Sequence, residues 1–181
     1  MSVSELAAPI CSASLCNPSS DYYLTPDHIA ADIVGHFNPS GRLLDPCKGD
    51  GAFLRHMPDA EWCEILEGKD FFNWTDSVDW IVSNPPYSCF RQWLRHSRRI
   101  AENIVYFVPV FKATNSCQIW KDSLLWGEIK EMRIYINSNI PWQRGRPLCA
   151  VHWEKGYHGK MAVSHYKPNH KVSGSSAEPD C

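Results

Sequence analysis

The sequence contains no run of about 18 apolar residues, so nothing in it reads as a membrane-spanning helix. The first 20 residues, "MSVSELAAPICSASLCNPSS", lack a basic start and a continuous apolar centre, and they do not read as a signal peptide. Neither charge sign is in excess: 18 Lys and Arg against 20 Asp and Glu leave a net charge of -2. A chain of that balance carries no global nucleic-acid signature, and any basic contact surface must be local. There are eight cysteines but no C-x-x-C pair and no finger-like Cys/His spacing. Neither they nor His152, His158, His165 and His170 form a metal-ligand pattern, so no metal is expected. Reduced thiols in an intracellular, cytoplasmic protein are the plain expectation.

What remains is ordinary globular material. Apolar residues make up 44% of the 181 and charged residues 21%, enough for one domain with a real core. Residues 1–20 are expected to be irregular, 21–166 to form the domain, and the polar stretch 167–181 to be a disordered tail. Within the domain the pattern alternates. "TPDHIAADIVGHF" reads as a helix, with Pro26 in its first turn and Thr25 as a cap. "GRLLD" reads as a short strand, "AFLRHM" as a short helix, and "EWCEIL" and "VDWIVS" as strands. "CFRQWLRHSRRIAEN" reads as an amphipathic helix with Phe90, Trp93, Leu94 and Ser97 on one face and Arg91, Arg95 and Arg98 on the other. "NIVYFVPV" has the near-continuous apolar character of a buried parallel strand. "EMRIYINSNI" and "PLCAVHWEKG" read as a terminal hairpin joined around "PWQRGR". Strand–helix alternation closing on a hairpin predicts a three-layer α/β fold.

Two motifs carry chemistry. In "LLDPCKGDGAF" an acid, Asp45, ends a strand and Gly49 and Gly51 follow. Ligands of open α/β sheets sit beyond the carboxyl ends of strands, where glycines allow positive φ and close backbone approach. No Gly-Lys-Ser/Thr follows, which excludes a P-loop, and the full G-x-G-x-x-G is absent. The loop suits a nucleoside bearing a cationic amino-acid arm, with Asp45 facing the positive group. About 20 residues on, Glu64 is placed to accept from ribose hydroxyls. In "GKDFFNW", Asp70 is placed to accept from an exocyclic adenine amine and Phe71 to cover the ring.

The second motif is "SNPPYS". An amine conjugated to a heteroaromatic ring is a poor nucleophile because its lone pair is delocalised. The Asn84 side-chain oxygen and the Pro85 carbonyl can each accept one of its N–H bonds and favour a pyramidal nitrogen. Pro85 and Pro86 fix φ and hold these acceptors in place. Tyr87 offers a stacking face to an extruded base.

In this order the segments resemble the adenine-N6 class of S-adenosylmethionine-dependent methyltransferases. The segments are "YLTPDHIAADIV", "LLDPCKGDGAF", "EI" with "GKDFF", and "IVSNPPYS". The resemblance runs from about Tyr23 to Pro109 and more loosely to Lys155. It implies a Rossmann-like class I methyltransferase sandwich with a terminal antiparallel hairpin. It also implies S-adenosyl-L-methionine as cofactor and a small enzyme methylating adenine N6 in DNA. Cofactor contacts would come from Thr25, Pro26, Asp45, Pro46, Gly49, Gly51, Glu64, Asp70 and Phe71, and the target amine would be held by Asn84, Pro85, Pro86 and Tyr87.

Only five residues separate Glu64 from Asp70, whereas a parallel crossover needs a dozen or more. The fold is therefore expected to be reduced between its second and fourth strands, without the intervening helix and with the third strand absent, displaced or very short. Lys48 and Asp50 depart from the small residues of the family's loop, and Lys48 should point outward, toward a substrate phosphate. Arg91, Arg144 and Arg146 are the further nucleic-acid candidates, beside Lys112 and Trp142. Residues 111–130 are too short for a target-recognition domain, so weak specificity, a partner subunit or self-association is expected. RNA adenine and a protein glutamine side chain are the rival substrates. A non-catalytic cofactor-fold subunit is the remaining rival, and the intact "NPPY" speaks against it.

Overall fold

The computed structural model describes residues 23–136, 140–142 and 145–167. The expectations for 1–20, for most of the tail and for Arg144 lie outside the described residues.

Seven strands form one mixed sheet in the order β2-β1-β3-β4-β6-β5-β7. They are β1 (Leu43–Asp45), β2 (Glu61–Trp62), β3 (Val78–Ser83), β4 (Ala101–Pro109), β5 (Ile129–Tyr135), β6 (Leu148–Glu154) and β7 (Ala162–His165). Strands β2, β1, β3 and β4 are mutually parallel. Strand β6 inserts antiparallel between β4 and β5, so the terminal hairpin is present. Four helices accompany the sheet: α1 (Asp27–Phe37), α2 (Phe90–Ile100), α3 (Val110–Thr114) and α4 (Cys117–Trp126). None is long and apolar enough to cross a membrane among the described residues.

Alternating side chains of the central strand β4 build two cores. Ile104, Tyr106 and Val108 pack with Phe90, Trp93 and Leu94 of α2 and Ile119 of α4. Val105 and Phe107 pack with Ile29, Ala30 and Ile33 of α1 and with Phe53 and Met57. Strand β4 is buried on both faces, which is why its sequence is continuously apolar. The layers are therefore helix, sheet, helix, as the alternation predicts.

The reduction is where the sequence places it. Among the described residues no strand lies outside β2, and no helix of α type lies between β2 and β3. Two 3-10 turns, Ile65–Glu67 and Phe71–Asn73, and a single bridge from Glu64 to Lys69 fill the gap. Four expectations are corrected. "AFLRHM" forms hydrogen-bonded turns rather than a helix, because Gly51 and Pro58 bracket a segment too short to propagate one. The expected strand "EWCEIL" pairs only over Glu61–Trp62 and then turns at Ile65. Arg98, expected on the solvated face of α2, is buried and donates from Nη2 to Ser123 Oγ at 2.6 Å. Cys47, Cys63, Cys117 and Cys149 are free thiols, but Cys89 is disulfide-bonded. Strand β7, parallel to β5 at the far edge, was not expected at all.

Candidate active site

The chain leaves β1 to one side for β2 and crosses back to β3 on the other. The crevice between β1 and β3 is thus the switch point of the sheet, and both chemical motifs lie at its carboxyl end.

Asp45 closes β1 and is fully buried. Its Oδ1 accepts from Ser83 Oγ at 2.6 Å and from the Cys47 amide at 3.2 Å. Its Oδ2 is buried with no partner. Burial disfavours the charged form and pushes the carboxyl up to about 7, against the lowering by these two bonds. A buried carboxylate with an orphan oxygen is suited to a cation. Ser83 is the last residue of β3 and precedes Asn84, so one hydrogen bond joins the acid to the corner. Sequence reasoning missed Ser83, which a lone serine at a strand end does not advertise.

Pro46 follows Asp45, and the loop continues through Gly49 and Gly51, whose φ values of +54° and +82° lie in the left-handed region. A Cβ at Gly51 would meet nothing within 4 Å, so the glycine is required by conformation and open space lies beside it. Glu64 closes the loop from the β2 side. Its Oε2 accepts from the Gly49 amide at 2.9 Å and its Oε1 from the Leu66 amide at 3.1 Å. Each carboxylate oxygen keeps a further lone pair, but the first task of Glu64 here is to hold the loop. Asp70 caps the second 3-10 turn through the Phe72 amide at 3.0 Å. Phe71 is 2% exposed and packs against Trp93 and His96, with ring centroids 4.8 Å and 4.7 Å away. Its ring is committed to the core and offers little surface to a nucleobase. Lys48 turns to the sheet edge, where it pairs with Glu67 and lies over the Trp62 ring. The loop, Asp45 Oδ2 and the open space at Gly51 fit a cationic nucleoside ligand.

At the corner, the Asn84 side-chain nitrogen donates to the Tyr23 carbonyl at 2.8 Å and to Thr25 Oγ1 at 3.1 Å. A carbonyl can only accept, so the atom facing Tyr23 must be the amide nitrogen. Asn84 Oδ1 is left buried without a partner. Pro85 is buried and Pro86 half-buried beside it. Thr25 does not cap α1; Pro26 occupies that position and its carbonyl accepts from the Ile29 and Ala30 amides.

Tyr87 stacks on Tyr23 with centroids 5.5 Å apart and planes at 21°. Trp142, from the hairpin loop, tilts against Tyr23 at 5.0 Å, and its indole N–H donates to the Leu24 carbonyl at 2.8 Å. These three aromatics line a cavity of about 270 Å³, completed by Ser88, Pro109, Phe111, Lys112, Arg146 and Leu148. No acid lines it. Lys112 and Arg146 have no acidic partner among the described residues, whereas Arg42, Arg55, Lys130, Arg133 and Lys155 are all ion-paired. Arg91 is exposed on the first turn of α2 and is not part of the cavity lining. Tyr23 is a site residue that the sequence reading passed over, although an aromatic two positions before Thr25 was visible in "YYLTP".

No family model matches the sequence, and no curated protein does. Solved structures share the fold. A candidate RNA methyltransferase from Pyrococcus horikoshii is similar with a TM-score of 0.54 at 14% identity, over 74% of this chain and 86% of that one. A candidate class I S-adenosylmethionine-dependent methyltransferase from Listeria monocytogenes gives 0.53 at 12% identity, over 82% and 69%. The modification subunit of a candidate type I restriction enzyme from Vibrio vulnificus gives 0.59 at 14% identity, over 78% of this chain and 46% of that subunit. This chain thus spans less than half of the restriction-enzyme subunit it matches. The sheet order and these likenesses establish the Rossmann-like class I methyltransferase fold.

Proposed function

We propose that this chain is an S-adenosylmethionine-dependent methyltransferase acting on the exocyclic N6 amine of adenine in nucleic acid, with DNA as the favoured polymer. The observation that carries the reading is Asn84. Both hydrogens of its amide nitrogen are taken, and the oxygen is left as a buried acceptor at the strand end.

Asp45 would hold the cationic amino-acid arm of the cofactor, while Gly49, Gly51 and Glu64 shape the loop around it. Bound there, the cofactor supplies an electrophilic sulfonium methyl group. The chain's own contribution is to prepare the acceptor. Asn84 Oδ1 and the Pro85 carbonyl each accept an N–H of the adenine amine, which draws its nitrogen toward a pyramidal geometry. The prolines hold those acceptors in place before the amine arrives, so no reorganisation is needed during transfer. Tyr87 and Trp142 would contact the base. The alkylated nitrogen is acidic and loses its proton to water, so no strong base is required.

The cavity lining favours a nucleotide over a glutamine side chain. Three aromatic rings suit a planar base, and two cations, Lys112 and Arg146, with no acidic partner among the described residues, suit its phosphates. The likeness to the modification subunit of a candidate type I restriction enzyme supports DNA and a partner subunit. RNA is the second reading, supported by the likeness to a candidate RNA methyltransferase over 86% of that chain. Either polymer implies action inside the cell.

Asn84→Ala tests the corner. The expected result is S-adenosylmethionine binding within a few-fold of wild type and methyl transfer reduced by about a hundredfold or more, the scale for losing one pre-placed polar partner. Undiminished transfer would refute the assignment.

A further inference from the structure

The resemblance assigns Thr25 to the cofactor, but the structure gives its hydroxyl a different task. We infer that Thr25 is a positioning residue that, with the orientation fixed by the Tyr23 carbonyl, holds the Asn84 amide with its oxygen toward the methyl acceptor. The inference rests on the amine-methylation reading above and deepens it.

A primary amide has a donor end and an acceptor end of nearly equal size, and a half-turn about its last torsion exchanges them. At a target amine the two orientations have opposite consequences. With Oδ1 inward, Asn84 accepts an N–H and helps free the nitrogen lone pair. With the nitrogen inward, a donor meets a donor and the amine is repelled. The chain resolves this by giving the amide nitrogen two acceptors on its far side, the Tyr23 carbonyl at 2.8 Å and Thr25 Oγ1 at 3.1 Å. Two hydrogens and two acceptors leave no donor capacity free, and Oδ1 is the end that remains buried without a partner. Thr25 is itself only 7% exposed, so water does not readily replace its hydroxyl. The segment is anchored on both sides: Trp142 donates to the Leu24 carbonyl, and the Pro26 carbonyl accepts the first amides of α1. The segment before the first helix thus acts on the Asn84 amide, and Thr25 Oγ1 accepts from its nitrogen.

Thr25→Val keeps the shape and removes the acceptor. One hydrogen of the Asn84 amide nitrogen then has no partner, and the Tyr23 carbonyl is left to hold the amide alone. The expected result is a kcat lowered about fivefold to tenfold, the scale of one hydrogen bond lost at a buried site. KM for the polymer and the S-adenosylmethionine affinity should stay within twofold, and Thr25→Ser should restore kcat. Thr25→Ala carries the same test if the valine variant does not fold. A wild-type kcat in Thr25→Val or Thr25→Ala overturns the inference. So does a loss that lies in cofactor affinity, which would return Thr25 to the cofactor. So does a serine variant as slow as the valine one. Asn84→Ala, run alongside, separates the two claims. Transfer that survives in that variant removes the amine-methylation reading itself, whereas loss there with normal Thr25→Val kinetics removes only the positioning role.

Discussion

Replacing Asp45 by Asn should stabilise the ligand-free protein at high pH while abolishing the site it serves. Asp45 is fully buried, and burial raises its carboxyl from 3.8 to about 7. Its unfolded value is the ordinary one, so the folded protein holds this proton more tightly. The associated stability is present in full below about pH 4 and is lost as pH rises through about 7. The rise corresponds to about 4 kcal/mol at most, reached above pH 7 when the buried carboxylate is charged. Asparagine keeps an oxygen to accept from Ser83 and Cys47 and carries no charge, so it escapes this loss. Urea unfolding of both proteins without cofactor at pH 5 and pH 8 measures the effect. Between pH 5 and pH 8 the difference between variant and wild type should shift in the variant's favour by about 2–3 kcal/mol, because about 1–2 kcal/mol of the loss already lies below pH 5. Comparing the two proteins at each pH cancels the other groups that titrate, including His96 and His152, whose values are lowered by burial. In the same variant the affinity for S-adenosylmethionine should collapse. A difference that does not change between pH 5 and pH 8 would refute the argument, because it would mean that the acid is solvated or paired in the free protein.

Other expectations follow from the same geometry. Gly51→Ala should cost about 1–2 kcal/mol of stability by chemical denaturation, because φ there is +82° and open space offers no clash to relieve or add. Lys112→Ala and Arg146→Ala should each weaken polymer binding without touching cofactor affinity, and each should reduce the slope of log K against log salt by about 0.9 if the residue meets a phosphate. An unchanged slope would remove that residue from the interface.

The fold was legible wherever a residue's surroundings repeat its own pattern. Strands β3 and β4 announce themselves because they are buried on both faces, and α2 because Phe90, Trp93, Leu94 and Ser97 recur at helical spacing. The missing third strand was legible as arithmetic, since five residues cannot cross a sheet. Strand β7 was not, because Ala162–His165 is a short, exposed edge that needs no apolar signature. Arg98 misled because α4 covers it, and no feature of α2 encodes what a later helix will bury. The site divides in the same way. Asp45, the glycines and the Asn84 corner are local motifs, each carried within a few residues. The pairing of Thr25 with Asn84 spans 59 residues, and that of Ser83 with Asp45 spans 38. Phe71 and Lys48 lie in the motifs that the sequence presents, yet long-range packing gives Phe71 to the core and Lys48 to Glu67 and Trp62.

The central claim is that the corner methylates a planar amino nitrogen of adenine in a nucleic acid. Incubating the wild-type protein with methyl-labelled S-adenosylmethionine and, separately, DNA, RNA and a glutamine-bearing protein tests it most directly when the labelled product is digested and identified by mass spectrometry. The expected product is N6-methyladenine, with label in DNA above RNA and none in protein. Label on glutamine, on a ring nitrogen or carbon of a base, or on no polymer at all would contradict it.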